Sequence, residues 1–357
     1  MKSYISRLLS CLALLAYASG AAHAAPVSQE VRTITVPGHA LRSFDIGYAQ
    51  DGVYAFADRS NHGVDLIDTR TLRFLGRVTG FAGPKSGGEG GPNGVVIVDG
   101  RQIWAGDGGG RIRVADIASR RIIATIATGG KKRVDELAYD AKDHLVIVAN
   151  SADEPPFLSF ISTRAPYRVR DRLALPQATD GLEQPLWDPS TGMVYVAIPQ
   201  LRHTATHGGV AVIDPHTARL VAMHKLSRCM PGGLALAPGG KLLVGCSDDA
   251  VAAGFKAKSI LLNPESGKVL RTFAQVGGSD EVWYDQALGD FLLAAVANPG
   301  GAVLGVIDAR DGRWLANLPS GRHAHSVAAD PGNGRAFVPV AAGDSACARG
   351  CVKVFGK

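Results

Sequence analysis

The sequence predicts an all-β chain folded as a ring-closed β-propeller of seven blades, on three observations. Short aliphatic strands ending in Asp, Ser or Asn recur along the chain at a nearly constant step. Further extended runs flank those turns, with almost no helical periodicity. The chain also stops one strand short of a complete unit, while its beginning carries a strand to spare.

The repeat is the organising signal. Val64-Asp65-Leu66-Ile67-Asp68, Ile112-Arg113-Val114-Ala115-Asp116 and Leu158-Ser159-Phe160-Ile161-Ser162 are its first three copies. Val210-Ala211-Val212-Ile213-Asp214, Ile260-Leu261-Leu262-Asn263 and Leu304-Gly305-Val306-Ile307-Asp308 continue it. The turn residues stand 45 to 52 positions apart, which fits one four-stranded blade of about 40–50 residues. Asp, Ser and Asn suit the turn because their short side chains bond the backbone just ahead. Most turns lead into a mixed apolar and polar run, such as Arg121-Ile122-Ile123-Ala124-Thr125-Ile126, the pattern of a half-solvated outer strand. Each turn is preceded by a hairpin, clearest at Pro238-Gly239-Gly240-Lys241.

The ends complete the count. The last unit finishes at Val352-Lys353-Val354-Phe355, and Val31-Arg32-Thr33-Ile34-Thr35-Val36 supplies a strand near the start. Pairing the two closes a seventh blade and removes the free edges that would invite aggregation.

Residues 1–24 are expected to be a signal peptide rather than part of the domain at 25–357. Lys2 and Arg7 precede a short apolar run from Leu8 to Tyr17, and Ala22-His23-Ala24 is a small-x-small cleavage pattern. That run is too short for a bilayer span of ~20 residues. The expected location is periplasmic or secreted, with no membrane partner. Without Lys2 and Arg7 the formal charge falls from +6 to +4 and is scattered, which argues against nucleic acid. Cys229, Cys246, Cys347 and Cys351 form an even set in an oxidising compartment, and no Cys-x-x-Cys metal spacing occurs. The Pro238-Gly239-Gly240 hairpin brings Cys229 towards Cys246, which leaves Cys347 to pair with Cys351.

The hairpin Ala237-Pro238-Gly239-Gly240-Lys241-Leu242 and the strand Leu145-Val146-Ile147-Val148-Ala149-Asn150 resemble the blades of the YncE-like, YVTN-repeat propellers. There a Pro-Asp-Gly-Lys turn precedes a Leu-Tyr-Val-Ala-Asn strand. The resemblance covers nearly the whole chain after the leader but sits in structural positions, and no unit carries a full Tyr-Val-Ala-Asn. It implies a seven-bladed propeller and no single activity. More distantly the chain is similar to amine-dehydrogenase heavy chains and to gluconolactonase-like propellers. The latter hold a metal at the channel through an Asn-rich set that Asn93 echoes.

Chemistry is expected where the inner strands begin, around one mouth of the central channel. Those starts read Pro92-Asn93-Gly94, Asp135-Glu136-Leu137, Glu183-Gln184-Pro185, Met230-Pro231-Gly232, Asp280-Glu281-Val282 and His325-Ser326-Val327, with Arg42-Ser43-Phe44 in blade one. The candidate ligand-binding residues are therefore Asn93, Asp135, Glu136, Glu183, Asp280, Glu281 and His325. Glu136 and Glu281 are the candidate metal ligands, for a hard divalent cation such as calcium. Converging carboxylates must protonate, bind a cation, or be held apart by Arg and Lys. The bland alternative is that these acids cap strand starts around a water-filled channel. Loops expected on the same face add Asp107, Asp153, His203, His207, Asp248 and Asp249. No Gly-x-Ser-x-Gly or His-Glu-x-x-His motif occurs. Three functions remain open. The first is a module binding a small ligand or periplasmic protein. The second is a cation-dependent lactonase, hydrolase or lyase. The third is the propeller subunit of a periplasmic redox enzyme.

Overall fold

Each repeat closes on the side-chain turn its sequence predicts. Asp68 Oδ1 accepts from the Arg70 and Thr71 amides at 2.9 and 2.7 Å. Asp116, Asp214, Asn263 and Asp308 make equivalent bonds to the backbone two or three residues on. The strand before each turn then pairs with the one after it, so the chain lays down one antiparallel blade at a time.

The computed structural model describes residues 28–86 and 89–357, so the expected signal peptide lies outside the described residues. Among these residues the strands form seven four-stranded antiparallel sheets. The inner strands are Gly47–Gln50, Val95–Val98, Leu137–Asp140, Pro185–Trp187, Pro231–Ala237, Val282–Asp285 and Ala328–Ala329. Each lies against the inner strand of the next blade, including the last against the first. Burial follows from that stacking. The second strand of blade three, Leu145–Asn150, is buried throughout because blades cover both of its faces. The fourth strand of blade two, Arg121–Ala127, alternates in exposure as a half-solvated edge should.

The ring closes as the sequence predicts. Gln29–Thr35 pairs antiparallel with Cys351–Gly356, from Gln29 opposite Gly356 to Thr35 opposite Cys351, with one bulge between Glu30 and Arg32. Ile34 and Val36 pack with Val352, Val354 and Phe337, so the pairing also covers apolar surface. The chain then crosses to blade one, tied to the last blade by Leu41 N–H to Arg349 O at 2.8 Å and Ala342 N–H to Leu41 O at 2.7 Å. Both cystines form as expected. Cys229–Cys246 joins Cα atoms 4.5 Å apart at the start of blade five. Cys347–Cys351 closes the loop beside the ring seam.

Deleting residues 29–35 should lower the melting temperature by roughly 10 °C or more, because it removes a whole strand pairing and uncovers the buried strand Cys351–Gly356, and make the protein aggregate through that exposed edge. A melt unchanged within 2 °C would refute a structural role for this strand. Replacing Cys229 and Cys246 together by Ala should cost about 3 kcal/mol in denaturant unfolding. The Cys347/Cys351 pair, closing a much shorter loop, should cost less.

Candidate functional site

Backbone register sets the inner-strand starts in two tiers. The N–H groups of Asp45, Asn93, Asp135 and Glu183 donate to Ala57, Gly106, Ala149 and Ala197 O of their own blades at 2.9–3.0 Å. The following residues, Ile46, Gly94, Glu136, Gln184 and Glu281, each accept from the second strand. The upper tier is thus Asp45, Asn93, Asp135, Glu183, Gly232, Asp280 and His325. The lower tier is Ile46, Gly94, Glu136, Gln184, Gly233, Glu281 and Ser326. Two of its glycines are required by close approach. A Cβ on Gly94 would lie 2.5 Å from Glu136 Cα, and one on Gly233 would lie 2.4 Å from Val282 N. Blades two and five therefore press their backbones against the matching acid pairs of blades three and six.

Six upper-tier side chains line one cavity of about 690 Å³ at the channel mouth: Asp45, Asn93, Asp135, Glu183, Asp280 and His325. Glu136 reaches it from the tier below, and Asp248 and Asp249 from the short helix Asp248–Ala252 line it above the gap left by Gly232. Of the residues expected at the mouth, Asn93, Asp135, Glu136, Glu183, Asp280 and His325 come together there. Glu281 does not. Its Oε2 accepts from Ser326 Oγ at 2.7 Å and Val327 N–H at 2.8 Å, which turns it toward blade seven and the lower channel. Blade one contributes Asp45 in place of the Arg42-Ser43-Phe44 start read from the pattern, because the hairpin Gly47–Gln50/Val53–Asp58 sets the register later.

Two arginines that sequence reasoning did not assign complete the mouth beside His325. Arg59, on the 3-10 turn Arg59–Asn61, ion-pairs with Asp45 and donates from Nη2 to Asn93 Oδ1 at 2.6 Å. Arg133 donates to Asp135 Oδ1 at 2.8 Å and lies 3.8 Å from Asp45. His325 stacks on Phe44, ring centroids 4.8 Å apart, and its Nε2 stands 3.6 Å from Asp45 Oδ1. Lys85 lies on the exposed rim. The signal for Arg133 was the run Lys131-Lys132-Arg133, which ends two residues before a mouth acid. For Arg59 no local pattern existed.

The other loop candidates have partners of their own. Asp107 bonds Arg113 at 3.0 Å, and Asp153 accepts from Lys131 N–H at 2.8 Å. His203 lines a different surface cavity. Among the described residues no group of three His, Cys, Asp or Glu is placed to hold a metal ion. With Asp45 and Asp135 committed to arginines and Glu281 to blade seven, the donor set does not fit calcium at Glu136 and Glu281.

The charges divide the mouth. Burial alone would raise Asp45, but Arg59, His325 and Arg133 outweigh it and hold the carboxyl at about 2. Burial would lower His325, yet its contact with Asp45 and the charges of Asp280 and Asp45 raise it to about 9. Across the mouth, burial pushes Asp280 up to about 7 and, with neighbouring acids, drives Glu136 and Glu183 well above the carboxylate range. Among the described residues, no group donates a hydrogen bond to the side chain of Glu136, Glu183 or Asp280. Glu136 is only 5% exposed.

Fold and site together define a seven-bladed β-propeller with a bipolar charged mouth. No family model matches the chain, and no curated protein is similar to it in sequence. Among solved structures it is similar to a chain from the crystal structure of the mitotic checkpoint complex, with a TM-score of 0.69 and 14% identity over 99% of each chain. That likeness is one of the fold. Very many other solved chains also match, so the match carries no activity.

Asp280 and His325 both hold protons more tightly folded than unfolded, where their values are 3.8 and 6.5. The Asp280 contribution to stability is therefore complete below 3.8 and is lost as pH rises through about 7, and that of His325 is complete below 6.5 and is lost as pH rises through about 9. The melting temperature should fall between pH 6 and pH 9.5. Asp280→Asn should remove its own part of that fall, below about 7, and make the rest shallower by withdrawing a charge that raises His325. A wild-type melting temperature that rises over this range would contradict the charge arrangement.

Proposed function

We propose that this chain is an exported propeller of the YncE-like type that binds a small organic cation, such as an amine, at its charged mouth. One observation carries the ligand class. Both guanidinium groups at the mouth are already committed, Arg59 to Asp45 and Asn93 and Arg133 to Asp135. Glu136, Glu183 and Asp280 have no such partner. An ammonium group supplies a charge and three donors to carboxyls that otherwise stay protonated by burial and mutual repulsion. The cavity of about 690 Å³ falls within the ~300–1,000 Å³ of small-molecule sites. Export is supported by the leader pattern of residues 1–24 and by two cystines, which persist in oxidising compartments. The structurally similar chain comes from a protein assembly. A protein partner, if one docks here, would use the loops around this mouth.

A second reading has its own observation. Asp280, near neutrality, sits close enough to the protonated His325 for their charges to act on each other. Such a pair suits acid–base work in a hydrolase or lyase.

Calorimetric titration with putrescine at pH 7 separates these outcomes. The wild type should bind and release protons, seen as a dependence of the heat on buffer ionisation. Glu183→Gln with Asp280→Asn should weaken binding at least tenfold without unfolding the protein. Equal affinity in both proteins would overturn the amine reading. Turnover of an ester or lactone that is lost in Asp280→Asn would instead establish the enzyme.

A further inference from the structure

Below the two tiers the channel continues as a second cavity of about 350 Å³. Tyr48, Leu186, Leu236, Trp283 and Tyr284 are among its walls, all on inner strands and all only half-buried. An inner strand is covered by a blade on each side and by the second strand along its outer edge. The exposure these apolar side chains keep is therefore exposure to the channel. Their positions are fixed by the blades. Trp283 Nε1 donates to Ala329 O at 3.1 Å and meets Tyr48 edge-on, with centroids 5.1 Å apart. Tyr284 leans on Phe291 at 5.7 Å.

Ile46 and Glu136 line this cavity and the charged mouth alike, so the two meet at Glu136. The other polar side chains of that tier are committed, Gln184 to Leu234 N–H, Ser326 to Gly47 N–H and Glu281 to Ser326 and Val327. Glu136 is 5% exposed, and no described residue donates to it. Unlike Glu281 Oε1, which is closed to solvent, the Glu136 oxygens keep accessible surface. A buried carboxyl without donors, open to a cavity, marks the place of a donor that the protein does not supply. Tyr48 follows Ile46 by two residues, and Trp283 and Tyr284 follow Glu281 by two and three. At strand rise the rings therefore begin roughly 7–10 Å below the tier that holds Glu136.

We propose that the channel selects an arylalkylamine, with its ammonium at Glu136 and its ring lower down, among Tyr48, Leu236, Trp283 and Tyr284. The assignment rests on the amine reading of the mouth and adds the other end of the ligand. The mouth supplies charge but few apolar walls. The lower channel supplies the reverse, and Glu136 is the acid within reach of both. A short carbon linker between ammonium and ring matches the depth between them.

Calorimetric titration at pH 7 tests it with n-propylamine, 3-phenylpropylamine and the neutral 3-phenylpropanol, with putrescine alongside. 3-Phenylpropylamine should bind at least tenfold tighter than n-propylamine, as removal of one ring from water allows. It should also bind at least tenfold tighter than the alcohol. Glu136→Gln should weaken 3-phenylpropylamine at least tenfold and leave the alcohol within twofold. Leu236→Trp should fill the lower channel and erase the advantage of the ring, with putrescine affinity unchanged within twofold. If Leu236→Trp does not fold, Tyr284→Leu should reduce that advantage several-fold. Putrescine binding with equal affinities for the two monoamines would overturn this inference and leave the amine reading standing. So would a ring advantage that the folded channel variants leave untouched, or an alcohol that binds as tightly as its amine. Binding of neither putrescine nor the monoamines would overturn both.

Discussion

Pairing of Gln29–Thr35 with Cys351–Gly356 is the constraint from which the rest of the structure follows. A propeller blade has an apolar face on each side, so an open row of blades would leave two such faces in water. Closing the row covers both. It also forces seven inner strands to begin around one narrow opening. Whatever residues occupy those starts are brought together even though they lie up to 280 positions apart, as Asp45 and His325 do. The mouth is therefore built by closure rather than by any single loop.

Closure creates an electrostatic problem that the side chains solve unequally. Around Asp45, three cations gather and keep the carboxylate ionised despite burial. Across the mouth, Glu136, Glu183 and Asp280 have no committed guanidinium, and burial with the neighbouring acids shifts them toward holding protons. The difference traces to where positive residues happen to precede an inner strand. Arg133 comes two residues before Asp135, and the 3-10 turn after Asp58 aims Arg59 inward. Blade five brings glycines instead, leaving the gap that Asp248 and Asp249 overlook.

The fold was legible because its determinants are local and repeated. An Asp, Asn or Ser at a fixed step, with β-branched strands on either side, gives the blade, and the spare strand gives the closure. The mouth was legible in part for the same reason, since Asp135-Glu136 and Asp280-Glu281 sit in matching copies. What escaped depends on register and on contacts between blades. A shift of two or three residues in a short hairpin separates Arg42-Ser43-Phe44 from Asp45, and alternation in so short a strand cannot fix it. Glu281 and Glu136 are equivalent in sequence, but only Glu281 faces a blade that offers Ser326 Oγ and a free amide. One matched copy thus became a blade-to-blade link while the other stayed unpartnered.

That divergence also explains why the channel has two characters. In the lower tier, Gln184 accepts from Leu234 N–H at 2.7 Å and Ser326 from Gly47 N–H at 3.0 Å, so polar side chains there are spent on joining neighbouring blades. Once those bonds are made, little polar surface remains to point further down, and the next positions along the inner strands are free to be aromatic. Trp187, Trp283, Tyr139 and Tyr284 all lie two or three residues beyond the lower tier. The upper tier also joins blades, through Arg59 to Asn93 and Asn93 Nδ2 to Val134 O, but its acids line the mouth cavity. Glu136 is the charged residue that lines both halves. It is the lower-tier acid left without a bond, and it stands where the charged mouth meets the aromatic channel.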